Sequence, residues 1–130
     1  MKNKKKGKII IPAGRKPWAH EFHVAEVLAM NGHKVEFLLE GDVKTPDILL
    51  DGVEYEIKSP ESMKAISIER TIKKALKQSP NLIIDISRIK KVNEKKICNF
   101  LIKQVRIRKS IKKMLLVTKQ EKVIDVKKML

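Results

Sequence analysis

Thr45-Pro46-Asp47-Ile48-Leu49-Leu50-Asp51-Gly52-Val53-Glu54-Tyr55-Glu56-Ile57-Lys58 is the stretch that decides the fold. Two apolar-rich runs flank Asp51-Gly52, a strong signal for a two-residue hairpin loop. With that loop, Leu50 pairs with Val53, and Asp47 falls opposite Glu56. Opposed Cβ atoms lie roughly 5 Å apart, where like charges destabilise a hairpin. A positive group is expected between them, and a divalent cation suits the place. Lys58 is two residues beyond Glu56 and shares its face, with Leu49 and Glu54 beside them. Ile48, Leu50, Val53, Tyr55 and Ile57 form the opposite, core-facing side.

Working outward, Leu82-Ile83-Ile84-Asp85-Ile86 is a nearly continuous apolar run, as expected of a central strand covered on both faces. Met114 to Thr118 reads as another buried strand, Val35 to Leu39 as a strand, and Lys8 to Ile11 and Val123 to Val126 as short ones. Helices are expected from about Lys16 to Asn31, with Pro17 near the start and Gly32 past the end, from Glu61 to Gln78, and from Asn93 to Lys109. The alternation predicts an α/β sandwich with a mixed central sheet flanked by helices. Residues 1–8 read as a lysine-rich arm and 9–130 as a single domain.

The 130 residues carry a formal net charge of +15, and their 42% hydrophobic content excludes a disordered basic tail. The charge is uneven. Residues 14–61 hold five basic and ten acidic side chains, net −5, while residues 88–113 hold eleven basic side chains against Glu94 alone, net +10. Acids gathered at one place in a basic chain suit a polyanionic substrate, drawn to the periphery and processed at a cation centre. Aromatic residues make up only 4%, so base stacking is not expected as the main binding device. Cys98, the single cysteine, excludes an internal disulfide and a cysteine zinc site. No apolar run reaches the length of a signal peptide's core or a membrane span, so a cytoplasmic site of action is expected, with no membrane partner.

Glu21 continues the stripe formed with Ala25 and Leu28. It reads either as a third metal-shell carboxylate or as an acid placed at the positive helix N-terminus. His20 and His23 flank it and read as capping or packing residues; His33 reads as a turn residue. Lys74 and Gln78, four apart, share a helix face suited to a phosphate and a nucleotide. Lys103, Arg106 and Lys109, with Lys95 and Lys96, read as a phosphate-contacting or merely solvated surface of the third helix. Asp85 reads as an acceptor of hydrogen bonds from a neighbouring helix. Gly14-Arg15-Lys16-Pro17 lacks the spacing of a phosphate loop.

Asp47 followed by Glu56-Ile57-Lys58 on the next strand resembles the motif of the PD-(D/E)XK nuclease superfamily. The run from Trp18-x-His20-Glu21 through Gly32-His33 to Thr45-Pro46-Asp47, then Lys74-Ala75-x-Lys77-Gln78, extends the likeness. It resembles the C-terminal toxin domains of CdiA-type contact-dependent growth inhibition proteins over roughly residues 9 to 126. The resemblance implies a restriction-endonuclease-like α-β-β-β-α-β core and metal-dependent tRNA or RNA cleavage. It also implies catalytic roles for Glu21, Asp47, Glu56 and Lys58, with Gln78 supporting, and a cognate inhibitor protein as partner. Asp47, Glu56 and Glu21 would hold Mg²⁺ or Mn²⁺, since oxygen-only ligands suit a hard cation. The chain begins at its own methionine with no visible delivery region, which suits a free-standing relative. A DNA endonuclease of a phage or mobile element, and a non-catalytic nucleic-acid-binding module of the same fold, are the alternatives. Oligomeric state and base specificity are not legible.

Overall fold

A computed structural model describes residues 6–41, 45–62 and 64–130. Among the described residues seven strands form one sheet whose spatial order equals chain order. β1 (Lys8–Ile10), α1 (Ala19–Met30) and β2 (Lys34–Phe37) come first. The hairpin β3 (Ile48–Leu50) and β4 (Val53–Lys58) follows. Then come α2 (Ala65–Leu76), β5 (Asn81–Asp85), α3 (Glu94–Ile107), β6 (Lys113–Val117) and β7 (Val123–Asp125). β1 and β2 are parallel, as are β4, β5 and β6; β3 and β7 run antiparallel to their neighbours. The mixed α/β sheet with three helices is the one expected. Of the lysine-rich arm, residues 1–5 lie outside the described residues, and Lys8 already opens β1.

The sheet has a helical layer on each face. Val24, Ala25, Val27 and Leu28 of α1 pack with Val35, Phe37, Ile48, Leu50, Tyr55 and Ile57. α2 and α3 pack on the other face, over Leu82, Ile84, Met114 and Leu116. Ile83 and Leu115 turn to the α1 side. β5 and β6 are therefore apolar at successive positions because both their faces are covered.

Local signals fix the ends. α1 stops at Gly32 (φ 91°). There the His33 N–H bonds the Leu28 carbonyl at 3.1 Å and the Gly32 N–H bonds Ala29 at 2.9 Å, the six-to-one and five-to-two pair of a Schellman ending. Asn93 caps α3, its side chain accepting from the Lys96 N–H at 3.0 Å.

Three boundaries differ from expectation. α1 begins at Ala19, after Pro17 rather than before it. α2 begins at Ala65, four residues later than expected. The segment before it is tied across to the exit of β5: the Ser59 hydroxyl donates to Asp85 at 2.9 Å and Arg88 pairs with Glu61 at 2.5 Å. Val126 leaves the last strand for a 3₁₀ turn, Val126–Met129, and is fully buried in the α2–α3 core.

Candidate active site

β4, β5 and β6 all end at one edge of the sheet, and that edge gathers the acids. Lys58 closes β4, and Asp47 precedes β3, the antiparallel neighbour. α1 starts at the same edge, since β1 and β2 run in the direction of β4. An α/β sheet binds ligands beyond the carboxyl ends of its strands. A cleft of about 390 Å³ lies there, lined by Trp18, Glu21, Asp47, Glu56, Lys58 and Gln78 among others.

The turn predicted at Asp51-Gly52 forms with φ of 50° and 85°. The register is Leu50 with Val53, Leu49 with Glu54 and Ile48 with Tyr55. Asp47 lies just past the last pair: its N–H donates to the Tyr55 carbonyl at 3.1 Å, and its Oδ2 accepts from the Ile57 N–H at 2.7 Å. The paired register ends at Ile48 with Tyr55, and these two bonds hold Asp47 against the Tyr55–Ile57 segment, beside Glu56.

Glu56 is 2% exposed, and its Oε1 has no hydrogen-bond donor among the described residues. The Lys58 ammonium lies 3.2 Å from Oε2. Burial, then the Glu56 charge, push the Asp47 carboxyl up from 3.8 to about 8; the Glu21 charge adds to this, and the Ile57 N–H opposes it. Burial also raises Glu56, against the Asp47 hydrogen bond and Lys58. Like charges this near oppose each other's ionisation, and Asp47 is held toward its protonated form.

Glu21 also reaches this edge, and its charge raises both neighbours. Its own oxygens are occupied. Oε1 accepts the Trp18 N–H at 2.9 Å, the reach-back bond of a capping box. Oε2 pairs at 3.3 Å with Arg15, and both side chains are buried, 3% and 7% exposed. Glu21 thus caps α1 and lines the cleft beside the two acids. Arg15 was not a candidate in the sequence. Its Nε donates to the Leu38 carbonyl at 2.8 Å, and its guanidinium sits 5.3 Å from the Phe37 ring centroid. The available signal was the buried acid itself, because a charge on a core-facing stripe needs a buried partner.

The donor set decides whether a divalent cation fits. Among the described residues no three His, Cys, Asp or Glu side chains form a metal-holding group. Two carboxyls remain, one with a buried oxygen lacking a donor. One or two carboxylates, completed by water and substrate phosphate, is the ordinary protein contribution to a Mg²⁺ site. The residues fit a hard cation at Asp47 and Glu56.

The other expected residues divide. Gln78 lines the cleft, as does His20. Lys74, Lys103, Arg106 and Lys109 are exposed and outside it. α3 descends from the end of β5 to the start of β6, so Arg106 and Lys109 fall toward the edge remote from the acids. His33 bonds the Asp51 carboxylate at 2.7 Å, bracing the hairpin loop. Asp85 accepts from the Ser59 hydroxyl and the Ser87 N–H, both in loops, rather than from a helix.

Comparison with known proteins places the chain. Residues 44–123, more than half of it, match the model of the contact-dependent growth inhibition CdiA C-terminal domain. The chain belongs to this family. The CdiA C-terminal match contains Asp47, Glu56, Lys58 and Gln78, while Arg15 and Glu21 precede it. The structure is similar to the CdiA-CT/CdiI toxin and immunity complex from Burkholderia pseudomallei. The TM-score is 0.68 at 15% identity, covering 90% of this chain and 96% of that one; the likeness is one of fold. A search of curated proteins finds no match. Among the described residues no helix is long and apolar enough to cross a membrane.

Proposed function

We propose that this CdiA C-terminal domain is a toxin that cleaves nucleic acid by metal-dependent phosphodiester hydrolysis, with a PD-(D/E)XK centre at Asp47, Glu56 and Lys58 on a restriction-endonuclease-like core. The observation that carries the reading is the half-buried Asp47 and buried Glu56 at the mouth of the cleft, with the Lys58 ammonium 3.2 Å from Glu56 Oε2. A fold maintained for stability alone would not oppose two acids in a β-hairpin at the mouth of a cleft.

Asp47 and Glu56 would hold Mg²⁺ or Mn²⁺. When bound, the cation supplies Lewis-acid polarisation of a phosphoryl oxygen and a lowered pKa for the attacking water. Lys58 places a positive charge where the phosphoryl oxygens gain negative charge, and can orient the nucleophile. Glu21 would serve as the third carboxylate, directly or through water, since each of its oxygens keeps a lone pair beyond its bond to Arg15 or the Trp18 N–H. Gln78 contacts the substrate from the end of α2, and exposed lysines and arginines hold its phosphates. RNA, and tRNA in particular, is the substrate suggested by the family resemblance; its 2′-hydroxyl is then an alternative nucleophile. The toxin and immunity pairing named for the Burkholderia complex supports a cognate inhibitor protein for this chain, acting in the cytoplasm of a target cell.

The test is incubation of the protein with tRNA, single-stranded DNA and duplex DNA in Mg²⁺, Mn²⁺ or EDTA. Cleavage in either metal and none in EDTA is expected. Salt-sensitive binding without cleavage in any metal would identify a binding module instead.

A further inference from the structure

Trp18 is the chain's single tryptophan, and it is 69% exposed. One exposed aromatic means nothing by itself; its position does. Trp18 lines the cleft that holds Asp47, Glu56 and Lys58. Its backbone is also held there. Its N–H donates to Glu21 at 2.9 Å, and its carbonyl accepts from Phe22 at 2.9 Å. Glu21 is in turn fixed by the buried Arg15. Phe37 and Tyr55, by contrast, are buried in the core.

Resting on the nuclease reading above, we propose that Trp18 is a base-stacking platform for the nucleotide at the scissile phosphate. An indole whose backbone is fixed beside the reacting groups orients a base at little entropic cost, and every base offers a face to it. The substrate class follows. A base inside a duplex is already stacked on its neighbours, so the site takes an unpaired nucleotide, from a single strand or a loop. Trp18 is then a substrate-contacting residue that selects unpaired over paired nucleic acid. One residue in the right place does this despite the scarcity of aromatics in the chain.

The emission of Trp18 reports the event, since no other indole contributes. The protein is titrated in Ca²⁺ with a labelled oligoribonucleotide, single-stranded or fully paired, following tryptophan fluorescence and label anisotropy together. Saturable quenching is expected with the single strand, with affinity about tenfold above that of the duplex. Trp18→Ala should weaken single-strand binding about tenfold or more and nearly abolish the preference over duplex. Trp18→Phe should restore most of both. Saturating anisotropy without quenching, or Trp18→Ala binding like the parent, overturns the platform. Cleavage of the same strand in Mg²⁺ or Mn²⁺ separates the two claims. Quenching with no cleavage by the parent leaves the platform standing and removes the nuclease reading. Equal cleavage by the parent and Trp18→Ala does the reverse.

Discussion

Asp47 carries the sharpest consequences at the scale of single residues. Its carboxyl stands at about 8 in the fold against 3.8 ordinarily, so the folded chain retains a proton that the unfolded chain loses above about pH 4. Stability contributed by this group is greatest below that pH and falls as pH rises toward about 8. Metal-free thermal melts across this range should show the decline. Asp47→Asn should flatten it, with Tm at pH 7 unchanged or higher, while abolishing cleavage; a large loss of stability would mark Asp47 as structural. Arg15 makes the opposite prediction. Removing it leaves Glu21 buried and unpaired near two other acids, so Arg15→Met should cost about 3–5 kcal/mol in denaturant unfolding. Glu21→Gln in the same background should recover part of that. Asp47, Glu56 and Lys58 were legible because a two-residue loop fixes the register by counting. Arg15 was not, because its partners depend on the path of the chain between β1 and α1.

Among the elements, the hairpin and the edge strand β1 rest on two glycines of different kinds. Gly52 has φ +85° with nothing within 4 Å of an added Cβ. Gly52→Ala should therefore cost only backbone strain, about 1–2 kcal/mol, and leave the active-site register intact. A Cβ on Gly7 would lie 1.8 Å from the His33 carbonyl oxygen. No rotamer relieves a backbone clash, so Gly7→Ala should displace β1 and cost more than Gly52→Ala in the same unfolding assay. Helix and strand periodicity located every regular element to within a few residues. The late start of α2 escaped it, because Ser59 and Glu61 are held by Asp85 and Arg88 across the sheet, and sequence neighbours say nothing of such ties. The 3₁₀ turn at Val126 escaped for a similar reason: a buried valine reads the same in a strand as in a turn.

At the scale of the whole molecule, the strand order could not be counted from the sequence, but the class and the mixed sheet were legible in the apolar runs of β5 and β6. The order places the charges. Lys64, Lys91 and Lys96 line a groove of about 440 Å³ at the start of α2 and α3, the edge that also holds the acids. Arg106 and Lys109 lie toward the other edge. Neutralising Lys64, Lys91 and Lys96 together should therefore reduce the log–log salt slope of single-strand binding by about 2, at about 0.7 per phosphate contact. Neutralising Lys103, Arg106 and Lys109 should change it less. A larger change from the second set would restore the far half of α3 as the docking surface.

The acid pair as a cation site that exchanges its proton for metal is tested most directly by calorimetric titration of Mn²⁺ into the protein at pH 7, in two buffers of different ionisation enthalpy. One Mn²⁺ per chain, with about one proton released on binding, and binding at least tenfold weaker in Asp47→Asn, is the predicted result. Binding without proton release, or binding that Asp47→Asn leaves unchanged, would contradict it.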